Sequence, residues 1–554
     1  MRNVVRSCLL VCALLLTPSL AGAQGGKVID LDSEEEQAAE EGPVTAGQMT
    51  EDAAQAKRLF DKERWSEAAL LLKRVVDGET GDDAGNRQIA QYHLAIALYR
   101  LKFYQASYNV FSKIAGKRNH LKHKETLLWL AKLATQLPEP ADIIERVGKY
   151  SIDQIKRFDN PQQRDLFWQL NYMLGRYKYR NLKFKEAIDL FEKVGRDSPY
   201  FVKAQFFVGI SHVQLKRSVP AVRAFQRIID AIDEGVEGVE DEDRMRDLAN
   251  LSMARTFYSA SISLDENNSP TIDERKLSAA VKYWNLVDVG SEYWLDALFE
   301  QSWAYFMAGD YPHALGNIHT IMSPYFPNAF YPEAEILRAV IAFTVCRYDD
   351  ATTMVARYNK KYEPIKKELE GIMNRLAGEG GEDKFFEFVQ KVRKGEADLS
   401  PQVRSIVEGA LSDRMLLRHI EYVRVLDEEL KRFQTAPKSF QDSPVGADVQ
   451  DDVDLARSVA VRSGGKLARA RFQRNLDELN EHMRNAQKII VDITNAQRKQ
   501  LDEEIVSGQF TKEEMLEFGR VTPDEEHVLW PFRGEYWRDE LGFYRQVVTS
   551  TCGK

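Results

Sequence analysis

The sequence predicts an all-α protein in which paired helices stack as a solenoid and a long helical hairpin follows. A chain of 554 residues is too long for one ordinary core, and one pattern in it is repeated. The pattern is Gly175, Ala187 and Phe191, and it returns 34 residues later (209 − 175) as Gly209, Ala221 and Phe225. Repeated units bury their faces against their neighbours, so a solenoid suits this length.

The spacing inside each copy favours two short antiparallel helices. A small residue lets two helix backbones approach, and an aromatic ring fills the space beside them. At this period the sequence resembles the tetratricopeptide (TPR) family, and Pro199 stands where that family often has a proline. The resemblance implies a curved surface that binds other proteins.

Weaker copies extend the repeats over residues 51–360, making about eight units. The third unit is predicted as Thr126–Leu137 and Ala141–Tyr150, with Pro138 between them. A polar loop around Asn267 separates two further helices and is interpreted as an insertion within one repeat. It could be a binding loop.

Residues 361–510 are interpreted as two long helices, Gln402–Phe433 and Asp452–Val506, joined by a loop that contains Pro437. The second helix has an apolar stripe in steps of four and three: Phe472, Leu476, Leu479, Met483, Ala486, Ile490 and Ile493. Such a coiled-coil stripe needs a partner helix. We expect an antiparallel hairpin, with homodimer formation through the stripe as the alternative. Gly464-Gly465 predicts a weak point or break.

The N-terminus predicts export. Residues 1–23 have the features of a secretory signal peptide, with Arg2 and Arg6 before the short apolar run Cys8–Leu16 and a cleavage site after Ala23. We therefore expect a periplasmic protein of bacterial type. Residues 24–50 are acidic and poor in bulky apolar side chains, which predicts a disordered leader. No later stretch has about 20 uninterrupted apolar residues, so no transmembrane segment is expected in the mature chain.

The cysteines leave two possibilities. Cys8 and Cys12 lie inside the apolar run, where a lipid-bearing cysteine is not expected, so only Cys346 and Cys552 would remain after processing. An oxidising compartment permits these two to pair, whereas a single cysteine in a helical pattern is commonly a small buried hydrophobe.

Composition and motifs argue against several classes. A net charge of −9 is atypical of a chain that coats nucleic acid. No G-x-S-x-G, P-loop, H-E-x-x-H or paired C-x-x-C motif occurs, and His120 with His123 stands among lysines. We therefore expect no enzyme, no cofactor, no metal and no small-molecule substrate.

The TPR resemblance nominates partner-binding residues on the inner curve of the solenoid. They are Tyr172, Arg176, Tyr179, Arg180, Lys203, Phe206, Phe299, Trp303 and Phe306. Rigid aromatics and arginines suit a peptide or protein groove. The alternative is that the aromatics pack between helices and the arginines are solvated. Tyr172 and Arg176 stand where the family's carboxylate clamp has lysine and asparagine, so recognition of chaperone tails is not implied.

Residues 511–554 form an aromatic-rich C-terminal segment. It contains WPFRGEYWRDELGFY at Trp530–Tyr544. We expect Trp530, Tyr536, Trp537 and Tyr544 either to dock on another protein or to cover an open end of the solenoid. Both interpretations predict a strong effect of Trp537→Ala.

The predicted function is a periplasmic scaffold that holds other envelope proteins together. The C-terminal segment and the repeats resemble the TPR component of the bacterial adventurous gliding-motility complex, which implies a role in gliding. An assembly factor or chaperone for outer-membrane or pilus proteins is one alternative. A cell-wall enzyme is the other.

Overall fold

The computed structural model describes residues 44–236, 238–266, 270–327, 329–507, 516–518 and 535–552. The predicted signal peptide, most of the predicted leader and Trp530 lie outside these residues. The chain divides into two compact units. Unit 1 contains residues up to Val239 together with Leu417–Ser463, and unit 2 contains Glu240–Leu416 together with Gly464–Lys554.

The repeats of unit 1 are helical throughout their described part. The helices are α1 (Glu51–Asp61), α2 (Trp65–Asp77), α3 (Ala84–Arg100), α4 (Tyr104–Ala115), α5 (His123–Leu133), α6 (Ile143–Val147), α7 (Ile152–Lys156), α8 (Arg164–Arg180), α9 (Phe184–Phe191), α10 (Phe201–Gln214) and α11 (Ser218–Asp233). A short 3-10 helix, Glu139–Ala141, stands between α5 and α6.

Unit 2 continues the pattern of paired helices. Its helices are α12 (Glu242–Ser261), α13 (Glu274–Trp284), α14 (Trp294–Ala308), α15 (Tyr311–Ile321), α16 (Pro332–Thr344), α17 (Tyr348–Arg375), α18 (Gly381–Arg393) and α19 (Pro401–Leu411). The predicted insertion is a β-hairpin in which β1 (Ile262–Leu264) pairs antiparallel with β2 (Pro270–Ile272). Its centre, residues 267–269, lies outside the described part.

Three helices follow the repeats: α20 (Arg414–Gln434), α21 (Lys438–Gln441) and α22 (Pro444–Ser507). Residues 417–463 of this stretch belong to unit 1 and the remainder belongs to unit 2. Near the C-terminus, β3 (Leu516–Phe518) pairs antiparallel with β4 (Val548–Ser550). The fold is thus all-α apart from two short strand pairs in the described residues, and its class, a TPR-like α-solenoid, is confirmed.

The repeated glycine and phenylalanine occupy equivalent places in the two copies. A Cβ atom added to Gly175 would lie 2.7 Å from the Phe191 ring, and one added to Gly209 would lie even closer to the Phe225 ring. Both rings are fully buried, as are Ala187 and Ala221. The predicted packing of a small residue against an aromatic is therefore present twice.

The turn inside most helix pairs also repeats, although the sequence analysis did not anticipate it. The residue two positions beyond the first helix has a left-handed backbone at Lys102, Leu182, Lys216 and Cys346, with φ between 56° and 64°. Lys216 follows Leu182 by the repeat length of 34 (216 − 182). Glycine adopts this left-handed conformation most readily, yet these turns carry residues with side chains. The packing of the helices on either side therefore stabilises the turn conformation.

Two expectations for the N-terminal half are wrong. The predicted helix Ala141–Tyr150 is broken, because Asp142 has φ of 39° between the 3-10 helix and α6. The last residues of the predicted disordered leader are packed, because Asp82 and Asp83 attract polar groups from that segment. The Gly47 amide donates to Asp83 at 2.7 Å, and the Thr50 hydroxyl donates to Asp82 at 2.6 Å.

The two long helices differ from their predicted bounds. Gln402–Phe433 is two helices, because the chain leaves α19 at Leu411 and the Asp413 carboxylate accepts the Leu416 amide (3.1 Å) at the start of α20. Gly464-Gly465 does not break α22. Glycine at 465 instead lets the backbone of α22 approach the Glu382 carbonyl in α18.

Most of the apolar stripe of α22 is buried, although Met483 and Ile490 are only half-buried. Phe472 packs against Phe385 and Phe388 of α18, with ring centroids 6.0 and 5.8 Å apart. Leu479 and Ala486 are fully buried. Stripe residues buried by the same chain are not exposed to a second copy, which weighs against the alternative of a homodimer through this stripe.

An ion pair joins α20 and α22 in unit 1. The Arg457 guanidinium lies 2.6 Å from the Asp427 carboxylate. The hairpin as a whole stays a prediction. No helix among the described residues combines the length and the apolar character needed to cross a bilayer.

Replacement of Gly209 by alanine tests the packing of the repeats. The added methyl group collides with the Phe225 ring, so we expect Gly209→Ala to lower the free energy of unfolding by about 1–3 kcal/mol despite the better helix propensity of alanine. Urea unfolding followed by circular dichroism measures the change. Gly371→Ala is the matched control, because it is also helical but meets nothing within 4 Å. It should raise the stability slightly, and equal effects of the two substitutions would contradict the packing explanation.

Candidate partner-binding site

The structure places the predicted tyrosines of unit 1 between helices. Tyr172 and Tyr179 are buried. Tyr172 stacks on Tyr200 with centroids 5.2 Å apart, and Tyr179 packs edge-on against Phe207 at 5.3 Å. These rings stabilise the contact between α8 and α10. Tyr172 additionally lines a cavity, described below.

The predicted arginines of α8 meet a carboxylate that the sequence analysis did not single out. Glu139 of the 3-10 helix is largely buried and pairs with Arg176, with Arg180 (3.2 Å) and with Arg418 of α20. Arg180 also pairs with Glu145 at 2.5 Å. These five residues, Glu139, Glu145, Arg176, Arg180 and Arg418, are called the arginine cluster. All three arginines of the cluster pair with carboxylates, whereas the alternative interpretation expected solvated arginines.

A cavity of about 100 Å³ opens beside the arginine cluster. Its walls come from the end of α5, the 3-10 helix, α6, α8 and the residue before α10. The lining residues are Ala134, Leu137, Pro138, Glu139, Ile143, Ile144, Gln169, Tyr172, Met173, Arg176 and Tyr200. Most of the wall is therefore apolar, while Glu139 and Arg176 provide charge at one side.

The guanidinium groups of Arg176 and Arg418 are partly withdrawn from water. Arg176 lies over the rings of Tyr172 and Phe207, 5.8 and 5.3 Å from their centroids. Burial lowers the pKa of the Arg418 guanidinium from its usual value, because the charge has lost part of its water. A partly desolvated cation binds an anion more strongly than a hydrated one does.

Arg418 reaches the cluster because α20 is anchored to the repeats by another carboxylate. Glu429 is buried, and it accepts the amides of Gln105 (3.0 Å) and Ala106 (3.3 Å) at the N-terminus of α4. The Tyr422 hydroxyl donates to the Gln105 side chain at 2.6 Å. Free backbone amides at a helix N-terminus attract carboxylates, so Glu429 fixes the position of α20.

The remaining predicted inner-face residues are divided between the units. In unit 1, Lys203 and Phe206 are half-buried, and Phe206 packs against Phe225 at 5.8 Å. In unit 2, Phe299 and Trp303 are buried while Phe306 is half-buried. Their part in partner binding stays a prediction.

The inner row of unit 2 also carries a buried polar network. Arg255 holds Glu300 through several N–O contacts of 2.5 to 3.1 Å, and the Trp284 indole donates to the same carboxylate at 3.2 Å. The Tyr331 hydroxyl donates to Asp296 at 2.6 Å. Burial raises the pKa of Asp296. These groups satisfy one another, and we assign no ligand to them.

The C-terminal residues 535–552, called the strap, pack on α15 and α16 of the same unit. Tyr536 stacks on His319 with centroids 4.4 Å apart, and Tyr544 packs edge-on against the same ring at 4.9 Å. The Gly542 amide donates to the Thr320 hydroxyl at 3.0 Å. Gly316 has no side chain to block the Tyr544 carbonyl. In the described part, the strap therefore packs on helices of its own unit, and its role in capping or docking stays a prediction.

The strap ends in a disulfide bond. Cys552 pairs with Cys346 in the turn after α16, and their Cα atoms are 5.0 Å apart. The Thr551 amide donates to the Val345 carbonyl at 3.0 Å beside the bridge. The structure thus decides between the two possibilities that the sequence left open.

The paired helices, the glycine contacts and the repeated turns define the chain as a TPR-like helical repeat protein. No family model matches it, and no curated protein matches it. Similar solved structures include a Rap protein complexed with competence and sporulation factor (13% identity, 78% of this chain and 98% of that chain, TM-score 0.25). Another similar structure is the apo form of RapI (11% identity, covering 70% of this chain and 98% of that chain, TM-score 0.25).

The pH dependence of stability tests the anchoring of α20. Burial raises the pKa of Glu429 from 4.5 to about 7. Between these values the unfolded chain releases a proton that the folded chain keeps, so the free energy of unfolding should fall as the pH rises from 4.5 to 7. Glu429→Gln should remove up to roughly 3 kcal/mol of this fall. Urea unfolding at pH 5 and pH 8 measures it. The exposed neighbour substitution Glu428→Gln should leave the pH dependence unchanged, and an unchanged dependence in Glu429→Gln would contradict the assignment.

Hydrogen exchange at the strap tests which aromatic residue anchors it. The Trp537 side chain is 44% exposed. We therefore expect a smaller effect of Trp537→Ala than the sequence suggested, and a larger effect of substituting Tyr536. We expect Tyr536→Ala to speed exchange of the Gly542 and Gln546 amides roughly tenfold, because the stacking on His319 is lost. Trp537→Ala is the comparison and should have the smaller effect. The reverse order would show that the stacking does not hold the strap.

Proposed function

We propose that the chain is an exported scaffold that binds other proteins, with the cavity beside the arginine cluster as a principal contact point. The observation that carries this proposal is an apolar cavity with charge at its edge on α8, the helix nominated for partner binding from the repeats. Protein-binding sites commonly combine an apolar pocket with a few polar groups at its edge.

The cysteines support an oxidising location. Met1–Ala23 has the pattern of a signal peptide, and the two cysteines beyond it, Cys346 and Cys552, form a bridge. Disulfide bonds persist outside the cytoplasm and are rare inside it. A periplasmic scaffold is the proposal that accounts for both features.

Two kinds of envelope partner are proposed for this scaffold. The resemblance of the C-terminal segment to the TPR component of the adventurous gliding-motility complex favours a motor or envelope-complex subunit. An assembly factor would instead hold outer-membrane or pilus proteins, and the experiment below distinguishes the two by what it captures.

Site-specific crosslinking in living cells tests the proposal. A photoreactive amino acid of similar length at Gln169 lies in the cavity wall, whereas one at Asp189 lies on an exposed part of α9. We expect position 169 to capture a defined envelope protein and position 189 to capture it much less. Capture of motor or envelope-complex subunits supports the scaffold, and capture of outer-membrane barrels supports the assembly factor.

The accessibility of the two cysteines to alkylation in the same cells tests whether the protein is exported. Alkylation of free thiols before lysis should leave Cys346 and Cys552 unmodified until a reductant is added. Equal capture at both positions would overturn the cavity as a contact point. Alkylation of both cysteines without reductant would overturn the exported location.

A further inference from the structure

The cavity beside the arginine cluster has the size and lining of a side-chain pocket. A volume of about 100 Å³ admits one aliphatic side chain, since dry apolar cavities of about 150 Å³ hold a molecule as large as benzene. Leu137, Ile143, Ile144 and Met173 supply the apolar wall. One leucine, isoleucine or valine side chain therefore suits this pocket.

The arginine cluster, which reaches the pocket through Glu139 and Arg176, carries a net positive charge. The arginine cluster has three guanidinium groups and two carboxylates, which leaves a formal charge of +1 (3 − 2). Arg176, Arg180 and Arg418 all converge on the single carboxylate of Glu139. Guanidinium groups bind carboxylates through paired N–H groups, so three of them can accommodate a second carboxylate.

Glu139 occupies the place that a ligand carboxylate would take. It stands on the three-residue 3-10 helix rather than on a stacked helix, between Pro138 and the left-handed Asp142. Arg418 comes from α20, which follows the repeats, and is held there through Glu429. The site therefore combines residues from two distant parts of the chain in unit 1.

We propose that unit 1 binds an acidic peptide segment in which an aliphatic residue lies next to one or two carboxylates. The aliphatic side chain enters the cavity, and a ligand carboxylate binds Arg176 and Arg418 in competition with Glu139. This inference rests on the proposed protein-binding function and names the chemistry of the partner. Charge complementarity and the apolar pocket, which are independent observations, both point to this ligand.

Fluorescence anisotropy with labelled peptides and the full processed chain tests the inference. The probe is Ser-Gly-Leu-Glu-Glu-Gly-Ser, and the controls replace both glutamates by glutamine or the leucine by glycine. We expect the probe to bind at least tenfold more tightly than either control, because each control loses a charge-assisted contact or the apolar burial. Binding should weaken as salt is added.

Three substitutions locate the binding on the protein. Arg418→Gln should weaken the probe roughly tenfold, and Ala134→Phe should weaken it by filling the pocket. Glu139→Gln should strengthen it, because a competing carboxylate is removed. Arg424→Gln is the matched control, because this exposed arginine of α20 pairs with Glu421 and Glu428 away from the cavity. It should leave the affinity unchanged.

The outcomes separate this inference from the proposed function. Equal affinity for the glutamate and glutamine peptides, or equal effects of Arg418→Gln and Arg424→Gln, would overturn acidic recognition. If crosslinking at Gln169 still captures a partner in Arg418→Gln cells, the scaffold stands and the acidic ligand falls. Tighter binding of a phosphoserine version of the probe than of the glutamate version would assign the site to phosphate instead. Thermal unfolding of each variant shows that it is folded.

Discussion

Two helix backbones meet closely at a residue without a side chain, and the repeats of this protein depend on that contact. Gly175 and Gly209 each face a buried phenylalanine ring in the second helix of the pair. The ring fills the gap that the missing side chain leaves, and close packing of this kind tolerates little change in volume. The same principle recurs at Gly465 and Gly316, where a helix accepts the backbone of a distant segment.

Carboxylates then connect segments that are far apart in the chain. Glu429 satisfies free amides at the start of α4, and Glu139 gathers arginines from α8 and α20. Both groups are largely buried, and a buried charge is stable only when it is paired or hydrogen-bonded. In unit 1, one carboxylate therefore fixes α20 and the other assembles the edge of the candidate site.

Unit 2 is closed by its own C-terminal segment. Tyr536 and Tyr544 pack on His319, and the bridge between Cys346 and Cys552 joins the strap to the turn after α16. The aromatic residues of this segment thus serve the fold of unit 2, whatever else they contact.

The all-α class, the helix pairs and the glycine–phenylalanine contacts were determined by the sequence alone, because helical periodicity is local and shows which residues share a face. Tyr172 and Arg176 were nominated by the resemblance to the TPR family. Tertiary structure alone decided that Glu139 and Arg418 meet, that Glu429 caps α4 and that Cys346 pairs with Cys552. Residues more than 200 positions apart leave no periodic signal in the sequence. Their contacts follow from the direction in which stacked helices carry the chain, which depends on the sum of many packing contacts.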